Sequence, residues 1–336
     1  MTVVGPFGLS VRDQALESDV QAGLTAVEEG LLEATKSEVP FITEAAQHLV
    51  RAGGKRFRPL LVMLSSQFGD PYAPGIVPSA VVVELTHLAT LYHDDVMDEA
   101  EVRRGVSSAN NRWGNSVAVL TGDFLFARAS QILADLGPEA VRVQALAFER
   151  LVTGQILETA GPQDGRDPVE HYLDVLSGKT GSLVAVSCRF GAMMSGADER
   201  IVDVLTQYGE RLGVAFQLAD DVLDIASESA DSGKTPGTDL REGIATLPVL
   251  RLRERAERLG LAEDVALCEL LDSDLSDDTR HQHALRALRV HPALEQARRD
   301  TVRYAEEARA ALTPLRDCDA KVALTQLCDA VVHRAG

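Results

Sequence analysis

Apolar residues return every three or four positions through most of the chain, the period of a helix with one face turned to a core. Leu16, Val20, Leu24, Val27 and Leu31 form one such series. Leu151, Ile156 and Leu157 belong to another, and Leu173, Val175 and Leu176 to a third. Val81–Val83 is β-branched and strand-like by itself, but the pattern around it continues through Leu85, Leu88, Leu91 and Tyr92 and predicts a helix. Strict alternation over six or more residues is hard to find, and aromatics, at 4%, are too few for a β-sandwich. Gly- and Pro-bearing breakers near Gly69–Pro78, Gly137–Pro138, Gly161–Pro168, Gly191–Ala197 and Ser227–Thr238 separate the helices. None is long enough for a domain linker, and no repeat is visible. The expectation is one large all-α domain over residues 1–336, with its site built between helices.

Composition changes this picture little: 45% hydrophobic and 25% charged residues describe an ordinary core-forming chain. The charge balance does more. With 51 acidic and 33 basic residues the net charge is −18, which excludes a general nucleic-acid binder and simple docking on anionic lipid. Taken alone, it would also repel an anionic substrate. No uninterrupted apolar run approaches the ~18 residues of a membrane span, so no integral membrane segment is expected. The N-terminal stretch lacks the basic start, apolar stretch and cleavage site of a secretory signal. Cys188, Cys268, Cys318 and Cys328 are scattered without a CxxC pair. They read as free, mostly buried thiols of a reducing cytoplasm, not a zinc site. Leu261–Asp278 holds seven acids and no Lys or Arg, and reads as a solvated surface segment.

Two carboxylate triplets stand out. DDVMD places Asp94, Asp95 and Asp98 at i, i+1 and i+4, and DDVLD does the same with Asp220, Asp221 and Asp224. On a helix, i and i+4 share a face one turn apart, so each triplet stacks like charges unless a cation lies against them. Ligands that are all oxygen suit a hard divalent ion such as Mg²⁺, which takes one or two carboxylates and completes its shell with water and substrate phosphate. Two such pairs suggest metals bridging to a diphosphate. One DDxxD match arises by chance roughly 0.2 times in a chain of this length, and two are far rarer. Both sit in apolar helical contexts, where unpaired carboxylates are costly.

A local reversal of sign accompanies them. Arg51, Lys55, Arg56 and Arg58 fall within eight residues that hold no acid, and Gly53 and Gly54 let the backbone approach a ligand. Arg103 and Arg104 follow Asp98 closely. Guanidinium forks suit phosphate oxygens. Lys179–Thr180 in SGKTGS and Lys234 in SGKTPG lack the upstream glycine of a nucleotide P-loop, but each lysine can reach a phosphate as a point charge. Gln217 precedes Asp220 by almost one turn. His87 lies two turns before Asp94 and can face the same cavity.

These motifs together resemble the trans-isoprenyl diphosphate synthases, the polyprenyl synthetase family. The matching pieces are GGKRFRP, HLATLYHDDVMDEAEVRRG, GDFLFA, GKTGSL, FQLADDVLD and KTPGTDLREGIATLP, in the family's order, over about residues 53–248. The resemblance implies an all-α bundle of the isoprenoid synthase type with a central cavity, a homodimer, and Mg²⁺, three ions per site. It implies a transferase that condenses isopentenyl diphosphate head-to-tail with an allylic diphosphate. By motif position, Asp94, Asp98, Asp220 and Asp224 would hold the metal, with Asp95 and Asp221 beside them in the catalytic set. Arg103, Lys179, Thr180, Gln217 and Lys234 would contact the allylic diphosphate. Gly54, Lys55, Arg58, His87 and Arg104 would bind isopentenyl diphosphate.

The growing chain would run from the metals along the first-triplet helix. Thr90 and Ala89, four and five positions before Asp94, lie about 6–7 Å down that wall, with Leu85 beyond. In short-chain members a large aromatic closes the tunnel here. Both residues are small in this chain, and the HxATLxHDDVMDE pattern resembles the long-chain, quinone-tail synthases. The expected product is a polyprenyl diphosphate of about 35–50 carbons. The alternatives are a shorter product such as geranylgeranyl diphosphate, a terpene cyclase, or a non-catalytic subunit of a heteromeric synthase. A cyclase would lack the GGKRFRP site, and a non-catalytic subunit would typically have lost aspartates.

Overall fold

The computed structural model describes residues 2–4, 9–11, 13–163, 165–227 and 236–335. The helical period is realised along the chain. The helices are α1 (Gln14–Ala34), α2 (Pro40–Arg51), α3 (Phe57–Ser66), α4 (Ile76–Met97), α5 (Ala109–Trp113), α6 (Asn115–Leu136), α7 (Pro138–Ala160) and α8 (Pro168–Leu176). A π-helical turn (Ser177–Gly181) leads into α9 (Ser182–Met194). There follow α10 (Glu199–Ala226), α11 (Thr238–Arg241), α12 (Leu247–Leu259), α13 (Ala262–Leu271), α14 (Asp278–Arg289), α15 (Pro292–Ala311) and α16 (Asp319–Ala335). The side chains of Asp13, Asp167 and Asp277 accept backbone N–H groups at the starts of α1, α8 and α14, closing donors that a helix start leaves open.

Two small antiparallel hairpins depart from the all-helical reading: β1 (Thr2–Val4) with β2 (Leu9–Val11), and β3 (Val102–Arg103) with β4 (Val106–Ser107). The second turns on Arg104 and Gly105, both at positive φ (53° and 77°), the two-residue geometry whose twist matches paired strands.

The chain packs as two compact units. One comprises Met1–Glu149, Leu183–Gly209 and Ala311–Leu327, and the other Arg150–Ser182, Glu210–Ala310 and Cys328–Gly336. In the first, α4 is buried nearly all round, with Val82, Val83, Leu85, Leu88, Ala89 and Tyr92 inaccessible, and it packs against α1, α3 and α6. The Val81–Val83 run is therefore helical, as its surroundings predict. Gly122 brings the backbone of α6 hard against α4: a Cβ there would lie 2.3 Å from His93 Nε2 and 3.1 Å from the Ala89 carbonyl. Tyr92 anchors α2 by donating its hydroxyl to the Ala45 carbonyl at 2.5 Å. In the second unit, the C-terminal half of α10 is buried through Leu212, Ala215, Leu218, Ala219, Val222 and Ile225.

Three expectations need correction or refinement. Among the described residues α6 is long and apolar enough, by length and composition, to cross a membrane. Inspection for uninterrupted runs passes over it because Asp123 and Arg128 punctuate it. The acidic stretch does form an exposed helix, α13, but its Asp264 is fully buried, paired with Arg255 at 2.9 Å and His291 at 3.0 Å. The cysteines are free, with Cys188 and Cys328 buried and Cys268 and Cys318 partly so.

Candidate active site

The first triplet closes α4. Asp94 and Asp95 occupy its last turn and Asp98 is its C-cap, where the helix dipole is already negative and no basic residue stands in the turn. Such a terminus calls for a cation. Helical geometry separates the three: Asp94 is half-buried, Asp98 is exposed, and Asp95, rotated off their face, is fully buried. Arg103 Nε donates to Asp95 Oδ1 at 2.6 Å, and its Nη2 lies 3.8 Å from Asp98 Oδ2. Asp95 Oδ2 is buried without a hydrogen-bond partner. Burial raises the Asp95 carboxyl above its ordinary pKa, with the Arg103 guanidinium opposing.

The basic cluster lies in the same unit. Gly53 and Gly54 adopt φ of 82° and 152°, and Arg56 one of 45°, so the chain folds back before α3. Arg104 lies over this loop, its Nη1 donating to the Gly53 carbonyl and to the Leu49 carbonyl at 3.2 Å. A Cβ on Gly54 would come within 3.0 Å of that guanidinium, which is the physical reason for glycine there. Adjacent arginines of one hairpin thus serve opposite directions, Arg103 the aspartates and Arg104 the glycine loop.

Arg56 plays a different part from the one its place in the cluster suggests. It is buried and spent inside the protein, on Glu84 at 2.9 Å and on Glu28. Glu84, also buried, lies 3.9 Å from Arg104 Nη2. Arg58 remains half-buried, and its Nε has no hydrogen-bond partner. Burial pulls its pKa down to about 10, with Glu84 opposing. His87 is held well below 6.5, first by burial and then by the positive charge of Arg58, Arg104, Arg56 and Arg103. A neutral imidazole beside unspent guanidinium N–H groups makes a cationic lining that needs no metal to receive an anion. Lys55 is exposed at its edge.

The second triplet ends α10 in the other unit. Asp221 is buried: its Oδ2 accepts from the Tyr172 hydroxyl, and its Oδ1 from Gln217 Nε2 at 3.2 Å. Gln217 Oε1 accepts from Thr180 Oγ1 at 3.4 Å. Asp224 accepts the backbone N–H groups of Thr238 and Asp239 at 3.2 and 3.3 Å, which ties it to the start of α11. Asp220 is paired with Arg334 of α16 at 2.7 Å. Lys179 stands in the π-helical turn, 2.7 Å from Glu158. That turn is pressed on α7 through two glycines, since a Cβ on Gly154 would lie 2.7 Å from Lys179 N. Single π turns recur at functional sites. Lys234 lies outside the described residues.

The donor set fits a hard divalent ion. Every candidate ligand is a carboxylate. That suits Mg²⁺, which leaves several positions to water and phosphate. In both triplets the middle aspartate is buried and hydrogen-bonded, while i and i+4 share the less buried face. Sequence reasoning missed Glu84, Glu158, Tyr172 and Arg334. Each meets its site residue through packing, which no local spacing announces.

The polyprenyl synthetase family model matches residues 39–288. The chain belongs to that family. The nonaprenyl diphosphate synthase of Mycobacterium tuberculosis is 45% identical over 331 residues, spanning 98% of this chain and 97% of that one. A geranylgeranyl pyrophosphate synthase from Corynebacterium glutamicum, solved in complex with calcium and isoprenyl diphosphate, superposes with a TM-score of 0.87 at 43% identity. The match covers 98% of this chain and 100% of that one. A decaprenyl diphosphate synthase from Rhodobacter capsulatus gives a TM-score of 0.85 at 35% identity, over 96% and 99% of the two chains. The family membership, the all-α fold and the transferase class implied by the motifs are all met.

Proposed function

We propose that this polyprenyl synthetase is a Mg²⁺-dependent prenyltransferase that condenses isopentenyl diphosphate with an allylic diphosphate to make a long all-trans polyprenyl diphosphate, with residues 1–336 acting as one catalytic domain. The observation that carries the reading is the pairing on α4 of two anion sites of opposite character. Asp94 and Asp98 call for a cation, and two turns earlier, about 10 Å along the axis, His87 faces an arginine cluster that needs none. One diphosphate arrives with metal and the other without it.

Asp94, Asp98, Asp220 and Asp224 would hold the Mg²⁺, three ions by the family resemblance, with Asp95 and Asp221 buried beside them. When bound, the metal supplies positive charge to the diphosphate that departs as the allylic C–O bond breaks. Arg103, Lys179, Thr180, Gln217 and Lys234 contact that diphosphate. Gly54, Lys55, Arg58, His87 and Arg104 orient isopentenyl diphosphate, whose double bond supplies the electron pair for the new C–C bond. A proton then leaves the product. The apolar walls exclude water from the cation in between.

Product length follows from α4. Ala89, Leu85, Val81 and Val77 recur at i, i−4, i−8 and i−12 on one face. At its far end, about 25 Å from Asp94, lies an open pocket of about 840 Å³ whose lining joins Val77 and Val81 of α4 and Ile132 of α6 with the charged Glu33, Arg128 and Asp135. These features support about 35–50 carbons. A geranylgeranyl product is the second reading, favoured by the 43% identical structural neighbour.

Incubation with isopentenyl diphosphate, farnesyl diphosphate and Mg²⁺ tests the proposal. Release of pyrophosphate and a long-chain product are expected. No release overturns the enzyme, and a product halted at geranylgeranyl length overturns the long chain. We also propose a homodimer, to be read by sedimentation, and a cytoplasmic location.

Gly54→Ala tests the metal-free site. Its Cβ would push the Arg104 guanidinium aside from a backbone position that L-residues rarely adopt. The KM for isopentenyl diphosphate should rise about tenfold, while that for the allylic substrate holds. Equal changes in both would count against the assignment.

A further inference from the structure

We propose that Arg334 is a diphosphate-binding residue of the second triplet, standing in on Asp220 for the absent cation and turning to the diphosphate when metal takes that carboxylate. The inference rests on the function proposed above and adds a residue that its motifs do not contain.

Three observations carry it. First, Arg334 Nη2 lies 2.7 Å from Asp220 Oδ1, on the carboxylate proposed to take the metal. Second, its guanidinium lies over the Phe216 ring at 4.7 Å. Phe216, Asp220 and Asp224 are spaced four apart on α10, so Arg334 lies along the metal-binding face and away from the buried Asp221. Third, Arg334 Nη1 is buried and has no hydrogen-bond partner, which leaves a costly spare donor at this face. A guanidinium with one arm on an aspartate and a second arm unused is suited to a ligand with several phosphate oxygens.

The first triplet also meets an arginine from outside its helix, but on its middle aspartate: Arg103 holds Asp95 at 2.6 Å and lies 3.8 Å from Asp98. A metal held by Asp220 would supply the positive charge that Arg334 gives this carboxylate, and the guanidinium would then donate to phosphate oxygens.

The test uses the full chain as wild type, Arg334→Ala and Arg334→Lys. Inorganic pyrophosphate is titrated by calorimetry at saturating Mg²⁺, then at a series of Mg²⁺ concentrations. Arg334→Ala should weaken pyrophosphate about tenfold at saturating Mg²⁺, and Arg334→Lys should recover part of the loss. In Arg334→Ala, half-maximal Mg²⁺ should fall, because one competitor for Asp220 is gone. A purely structural role at the end of α16 would not move these two readings in opposite directions. Unchanged pyrophosphate affinity in Arg334→Ala, or losses that are equal in Ala and Lys with an unaltered Mg²⁺ requirement, would overturn the proposal. A wild type that makes no prenyl product and binds no Mg²⁺–pyrophosphate would sink the function itself, and this proposal with it. An active wild type with an indifferent Arg334→Ala sinks Arg334 alone.

Discussion

Asp94→Asn and Asp220→Asn, made separately, should each lower kcat by about 10²–10³-fold; thermal stability should hold in the first and fall in the second, which strips Arg334 of its carboxylate. The barrier lies in separating an allylic cation from a diphosphate that gains negative charge as the C–O bond breaks. A group that holds the neutralising cation acts most strongly at that moment, so its loss falls on kcat more than on substrate affinity. Asparagine keeps the shape and one oxygen of the ligand and removes the charge. The stability expectation follows from location: Asp94 closes a helix whose C-terminal dipole is negative, and Asp98 shares its face. Removing one of two stacked carboxylates relieves repulsion in the metal-free protein. Asp95→Asn provides the contrast. That carboxylate is buried on Arg103, so the change should reduce both activity and melting temperature. Steady-state kinetics with a parallel thermal melt reads all three. Full activity in Asp94→Asn would remove the metal role from that residue.

Ala89→Phe should cut the product from about 35–50 carbons to about 20 or fewer while prenyl transfer continues. Ala89 is buried on α4, five residues before Asp94, and its carbonyl lies where Gly122 brings α6 close. A ring at this position blocks the line Ala89, Leu85, Val81 and Val77 near its start. The same tightness carries a cost, because overpacking a close helix pair destabilises by about 1–3 kcal/mol. Ala89→Leu, smaller and flexible, is the companion variant and should give an intermediate length. Chain length is read by chromatography of the dephosphorylated products. Products of unchanged length from folded Ala89→Phe protein would place the chain on another wall.

Local spacing announced the helices and marked the candidate site residues. Helix period, the i/i+4 sharing of a face by Asp94 and Asp98 and by Asp220 and Asp224, and the sign reversal at Arg51–Arg58 are properties of local spacing, and spacing survives without tertiary structure. The Arg104–Gly105 hairpin was legible in principle, since a glycine after a short polar pair marks such a turn, but two-residue strands carry almost no periodic signal. The apolar length of α6 was hidden by its interior charges.

Tertiary structure decided which charges are spent. By sequence Arg56 and Arg58 are equivalent members of one cluster. Packing of α1 and α4 brings Glu28 and Glu84 onto Arg56 and leaves Arg58 Nε without a partner. Arg103 and Arg104 are neighbours with opposite employments, and Arg334 reaches Asp220 from the far end of the chain. The net charge of −18, which by itself argued against anionic ligands, was silent on all of this. An ion pair is set by distances of a few ångströms and by burial, and both belong to the folded chain. Spacing determined which residues are candidates for the chemistry, and packing determined the contacts that each of them makes.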